Sequence, residues 1–385
     1  MLTALIAGSL LAQIEQSPRL KSTLPNGAQI YIERLATPGR ASVALAVSTA
    51  GMEFKTSEHG WVHLVEHLVA RGKGDMDRKL ESQGMMLSAT TTRDGSLFQI
   101  SGRPDQMAFA IQCLRELADP LVVTEDDIKR EIGILREEYA IRSDSDFMTE
   151  AAWIGVLGNE GGGPFGNLES MAAATPANVA ATHDRLFAGG SVAVAVTGDV
   201  DVALTGQRLT EVFGNLAKSD PAPDPKREAL TEFGADGVAS ASGAVRGVVI
   251  QGVDDLRGAA ALMAAVGFAA DANGAKPVYT FSTWPGLVFV SSPTTSAIAR
   301  LEDMTDNDWA LLYPQARKSM IGLLENMQKE PSRLSGTMAV LIRQNPSLNS
   351  ERVRDWFLVV SQEDFLAAGR RFHRDSSFTV VGGAQ

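Results

Sequence analysis

Three of the five histidines fall between positions 59 and 67, and two of them, His63 and His67, stand four residues apart with Glu66 between them. On a helix, residues at that spacing project from one face a single turn apart, with Glu66 beside them. Two such imidazoles can chelate one metal ion, and a neighbouring carboxylate can take a proton from a water that the ion has acidified. The surrounding Trp61, Val62, Leu64, Val65, Leu68 and Val69 are apolar all round. A helix of that kind is buried, where polar groups are costly without partners. The plainer reading is a histidine pair hydrogen-bonded inside a core.

A third ligand is expected on a second helix. Thr124 followed by Glu125, Asp126 and Asp127 reads as an N-cap with acids in the first turn. Beyond it, Ile128, Ile132, Leu135 and Tyr139 define an apolar face at helical period. Glu131 and Glu138 fall on that face, whereas Lys129, Arg130, Arg136 and Glu137 fall outside it. Glu138 is the expected third ligand, and Glu131 the carboxylate that orients a histidine. The alternative is that both acids pair with arginines in the core. Two histidines and one glutamate leave a fourth position for water, the open arrangement of a catalytic zinc. One Zn2+ per chain is therefore expected, with Glu66 as catalytic base. A closed storage or sensing site would need a fourth protein ligand, and none is evident.

Composition narrows the chemistry further. The single cysteine, Cys113, excludes an intramolecular disulfide and any multi-cysteine cluster, so a metal must be held by histidine and carboxylate. The formal charge of −11 argues against a nucleic-acid surface, which needs clustered lysine and arginine. No apolar run is long enough to span a bilayer, which takes about 18 residues. Met1 to Ala12 is apolar and resembles the core and cleavage region of a secretory signal without its basic start. Export or a periplasmic location is the expectation it raises, with the cytoplasm as the alternative.

The elements that must position these residues read as α+β. Gln29–Glu33, Ser42–Ser48 and Gly95–Gly102 have strand composition, and helical patterns cover Gly60–Ala70, Met76–Ser82, Pro104–Leu117 and Glu125–Arg142. The 385 residues suit two domains. Pro221, Pro223 and Pro225 mark a linker over 217–227 between domains at 18–216 and 228–385, with 1–17 as a leader or extension. Each half ends in a helix and then a strand: Thr175–Gly198 and Ser361–Gly383. Arg185 with Arg371, and Ser191 with Ser377, share one offset, which suggests duplication. Gly158–Gly166 follows no phosphate-binding pattern and reads as a surface loop. His183 and His373 read as structural or exposed, Met85 and Met86 as core fillers, and Cys113 as a buried thiol.

The His63-x-x-Glu66-His67 order is that of the H-x-x-E-H zinc peptidases, and the chain resembles the M16 metallopeptidases, the pitrilysin, insulinase and mitochondrial-processing-peptidase group. The likeness runs through STLPNGAQIYIE from Ser22, HGWVHLVEHLVARG from His59, KLESQGMMLSATTTRDGSLFQISG from Lys79 and EIGILREEY from Glu131. It covers residues 20 to 215. The resemblance implies two structurally related α+β domains, each a mostly antiparallel sheet with helices on one face. It also implies zinc-dependent hydrolysis of peptides or unfolded segments, with substrate paired to an edge strand at Ser88, Ala89 and Thr91. Family members usually carry Asn-Ala where this chain has Ser88-Ala89. They also carry an arginine and a tyrosine that bind the scissile carbonyl. Here Tyr279 fits the tyrosine position, but the arginine position is Ala272, and Lys276 is no equivalent of a planar guanidinium. The resemblance thus implies a heterodimer with a related subunit supplying Arg and Tyr, or else a homodimer. The family also contains non-catalytic scaffold subunits, which is the alternative function.

Overall fold

A computed structural model describes residues 18–48, 56–72, 76–157, 166, 168–220, 244–250, 260–262, 264–265, 267, 276–280, 286–292, 295–372 and 378–381. Met1–Ala12, most of the glycine-rich stretch at 158–166, the linker beyond Asp220, Ala272 and His373 lie outside them.

The first sheet has six strands: β1 (Arg19–Thr23), β2 (Gln29–Arg34), β3 (Ala41–Ser48), β4 (Leu87–Thr92), β5 (Gly95–Gly102) and β6 (Val192–Gly198). Their order is β1-β2-β6-β3-β5-β4, with β2 and β6 parallel and every other pair antiparallel. β3 and β6 are buried along their whole length, as near-continuous Val/Ala/Leu runs require when both faces of a sheet are covered.

The helices of this part are α1 (Trp61–Gly72), α2 (Met76–Glu81), α3 (Met107–Glu116), α4 (Glu125–Ala140), α5 (Asp144–Leu157), α6 (Leu168–Ala172), α7 (Pro176–Leu186) and α8 (Val202–Phe213). α1, α3 and α8 pack on one face, joining Ile30, Val43, Leu45, Phe98 and Val194 to Leu64, Leu68, Leu114 and Leu209 in one apolar cluster.

The remaining strands, β7 (Ala244–Ile250), β8 (Lys276–Thr280), β9 (Gly286–Ser292) and β10 (Phe378–Val381), form an antiparallel sheet in the order β10-β7-β9-β8. With them come α9 (Thr295–Glu302), α10 (Asp306–Lys329), α11 (Pro331–Gln344), α12 (Ser350–Leu358) and α13 (Gln362–Arg370). Val248, Val288 and Val290 meet Ile298, Trp309, Met320 and Phe365 in a second cluster.

Both sheets are covered on both faces, not on one as the family resemblance implied. The second face of the first sheet, Tyr31, Ala44, Ala46, Ala193 and Ala195, is closed by Leu334, Met338, Ala339 and Ile342 of α11. The second face of the other sheet, Val245 and Phe289, is closed by Met148, Ala151, Ala152 and Trp153 of α5. Each half therefore lends one helix to the other. Small alanines on the strands let α11 approach closely. Gln99 Nε2 donates to Ser335 Oγ at 2.9 Å, and Thr197 Oγ1 donates to the Pro331 carbonyl at 2.6 Å.

Candidate metal centre

The chain enters α1 through Gly60 at φ 85°, where a side chain would run into Met171 of α6. Gly166, at φ 64°, sits so close that a Cβ would lie 2.1 Å from the Gly60 Cα. The contact is sealed from the other side: Ser170 donates its hydroxyl to the His59 carbonyl, and Trp61 Nε1 donates to the Ser170 carbonyl at 3.0 Å. α1 is then buried from Trp61 to Val69, as its all-round apolar sequence requires, and only its end at Arg71 is exposed.

On this helix the His63 and His67 rings stand edge to face with centroids 4.8 Å apart. α4 is capped as expected, Thr124 Oγ1 accepting from the Asp127 amide at 3.2 Å. It delivers Glu138 Oε2 to 3.8 Å from His63 Nε2 and 3.4 Å from His67 Nε2. Among the described residues, one ligand atom each from His63, His67 and Glu138 lies within 4.8 Å of the others. Atoms bound at about 2.1 Å in a tetrahedral set stand roughly 3.4 Å apart, so the spacing fits an ion between them better than direct hydrogen bonds.

The electrostatics agree. Burial, with the neighbouring His67, pushes His63 down to about 3, which keeps its imidazole neutral and its lone pair available. Burial pushes the Glu66 carboxyl above the ordinary range, while a hydrogen bond from Thr91 Oγ1 to Glu66 Oε2, at 3.0 Å, opposes the shift. Glu66 Oε2 lies 3.6 Å from His63 Nε2. Glu131, only 2% exposed, places Oε2 3.5 Å from His67 Nδ1.

His63, Glu66, His67, Glu131 and Glu138 are thus brought together. Sequence reasoning missed two partners of this group. Arg71 Nη2 lies 3.8 Å from Glu138 Oε1, the oxygen turned away from the histidines. Arg130, assigned to the outer face, reaches back to donate to Glu131 Oε1 at 3.2 Å. Both arginines are exposed at the surface, so these pairings differ from the core-arginine alternative and accompany the histidine contacts. The signal for Arg71 was present, since it follows His67 by one helical turn.

Ser88, Ala89 and Thr91 lie on β4, an edge strand of the first sheet among the described residues. Ser88 is exposed, and Ala89 and Thr91 are half-buried. Tyr279 falls on β8, but its side chain lies outside the described residues. His183 is structural, with Nε2 2.9 Å from the Leu117 carbonyl. Met85 fills the core as expected; Met86 does not, being 76% exposed at the approach to β4. Cys113 is buried.

The family description "Insulinase (Peptidase family M16)" matches residues 30–155, which span both helices of this centre. Residues 30–155 of this chain are thus similar to the M16 insulinase family. The chain is 24% identical over 204 residues to an uncharacterized zinc protease of Mycobacterium leprae, covering 51% of this chain and 46% of that one. It is 26% identical over 230 residues to the mitochondrial-processing peptidase subunit beta of Dictyostelium discoideum, covering 56% and 48%. The chain thus spans about half the length of these curated relatives. A protease structure from Helicobacter pylori shares the fold at a TM-score of 0.81 and 16% identity, covering 96% of this chain and all of that one.

Proposed function

We propose that the chain is the zinc-bearing subunit of an M16-type endopeptidase that hydrolyses peptides or unfolded protein segments. The observation that carries this reading is the convergence of His63 and His67, through Nε2, on Glu138 Oε2. These three residues would hold one Zn2+. Bound there, zinc supplies a Lewis acid that polarises the scissile carbonyl and acidifies water.

The other groups handle the proton and the positions. Glu66 takes the proton from the attacking water and passes it to the leaving amine, which its buried, base-like carboxylate suits. Glu131 holds the Nδ1 side of His67 and so fixes which way its Nε2 points. Arg71 neutralises the outer oxygen of Glu138. β4, which among the described residues has no strand beyond it in the sheet order, offers its edge at Ser88, Ala89 and Thr91 to an extended substrate, which would add as a further strand.

Two related α+β units, at 18–216 and 228–385 with a linker at 217–227, are the domain organisation we infer. The two sheets, each with its own apolar cluster, support it. Ala272 at the expected arginine position supports a division of labour, in which a homologous partner supplies the Arg and Tyr that bind the carbonyl oxygen. The relative from Dictyostelium bears the name of a subunit. The test is cleavage of a fluorogenic peptide by the purified chain, alone and mixed with an M16-like chain that carries the Arg and Tyr. Full activity of the chain alone, as a monomer, would overturn the need for a partner.

A further inference from the structure

The edge strand β4 and the proposed base are joined through hydroxyl groups. Thr91 Oγ1 donates to Glu66 Oε2 at 3.0 Å, and Ser96 Oγ lies 2.8 Å from the same threonine oxygen. A hydroxyl carries a single proton. With the Thr91 proton committed to an ionised Glu66, Ser96 must donate to Thr91, and the polarity of the chain is Ser96 to Thr91 to Glu66. Ser96 is 3% exposed and is the register partner of Thr91 across β4 and β5. The sheet ladder therefore holds both hydroxyls in place.

Strand alternation explains why Thr91 is the residue that reaches Glu66. Leu87, Ala89 and Thr91 are half-buried, while Ser88, Thr90 and Thr92 are exposed. α1 contacts β4, and Thr91 bonds to its Glu66. The bonded oxygen, Oε2, is also the one 3.6 Å from His63 Nε2. A carboxylate with three side-chain torsions is thus pinned at its tip between the metal face and the edge strand.

We infer that Thr91 is a positioning residue for Glu66, in addition to lying on the strand that receives substrate. This rests on the function proposed above. It means that one element, β4, sets both the path of the bound peptide and the direction of the base, so that docking and proton transfer are aligned by the same strand.

Thr91→Val keeps the shape of the side chain and removes the hydroxyl. Hydrogen bonds to charged groups are worth about 1.5–3 kcal/mol, so kcat should fall roughly ten-fold or more, with KM and zinc content near wild type. Thr91→Ser should recover most of the loss. An unchanged kcat, or a raised KM with kcat intact, would overturn the inference and leave Thr91 a substrate contact only. A second measurement does not depend on activity. Urea unfolding of wild type, Thr91→Val, Glu66→Ala and the double variant should show unfolding constants that do not multiply, the double variant being less destabilised than the product of the singles. Multiplying constants would overturn the contact itself. A zinc-loaded wild type that cleaves nothing, with or without the partner chain, would instead count against the proposed function.

Discussion

Glu131 Oε2 faces Nδ1 of His67 at 3.5 Å, and both side chains are almost sealed from solvent. The other oxygen of Glu131 is occupied by Arg130, so the carboxylate is held from behind and aimed at the imidazole. Carboxylates placed this way fix the ring and raise its basicity, and their loss costs roughly 10–100-fold in metal affinity. Glu131→Gln should weaken zinc binding by that order in a chelator-competition titration. Unchanged affinity would show that Glu131 serves packing alone.

His63 should make the metal-free chain acid-sensitive. The unfolded chain protonates this ring at an ordinary value near 6.5, whereas burial holds the folded ring down to about 3. Between those values the unfolded state binds more protons, so stability is full above the ordinary value and falls as the pH drops towards 3. Glu66 acts oppositely: its raised folded pKa favours folding below the ordinary carboxylate value and penalises it as the pH rises through the raised one. Urea midpoints of the chelator-treated protein should fall between pH 6.5 and 4, with a shallower fall in His63→Gln. Equal slopes would contradict the assignment.

The carboxylate of Glu66 is a cost to the metal-free fold at neutral pH, because burial disfavours its charge. Glu66→Gln keeps an acceptor for Thr91 and removes that charge. Its thermal midpoint without metal should lie above wild type at pH 7, and a lower midpoint would contradict the electrostatic reading.

Cys113 is buried on α3, and burial, with Glu116 nearby, pushes its thiol up to about 11. The thiolate is the reactive form, so an aromatic disulfide reagent at pH 8 should label the chain only after unfolding. Rapid labelling of the native chain would show that α3 opens.

Met338 is fully buried between α11 and the first sheet. Met338→Ala should destabilise by about 2–5 kcal/mol in urea unfolding, although the residue is distant in sequence from every strand it covers. A loss below about 0.5 kcal/mol, the range of surface changes, would mean that α11 is not needed there.

Much of the centre was legible in the sequence because helices carry a fixed period. The His63, Glu66 and His67 spacing and the Glu131 and Glu138 face follow from 3.6 residues per turn, and the Thr124 cap from local chemistry. What needed the structure was long-range. α5 and α11 cross to the opposite sheets, and nothing local in 144–157 or 331–344 says which sheet each will cover. The Arg71 contact to Glu138 and the Ser96 to Thr91 to Glu66 chain depend on how α1, α4 and β5 are packed. Met86 was misread because an apolar residue beside a core methionine looks like a second filler, whereas strand onset turned it outward.

The most direct test compares zinc content and peptide cleavage in wild type and Glu66→Gln, each with the partner chain present. The account predicts one zinc ion per chain in both proteins and cleavage reduced by about 10²–10⁴-fold in Glu66→Gln. A wild type that holds no zinc, or a Glu66→Gln protein that cleaves at the wild-type rate, would contradict it.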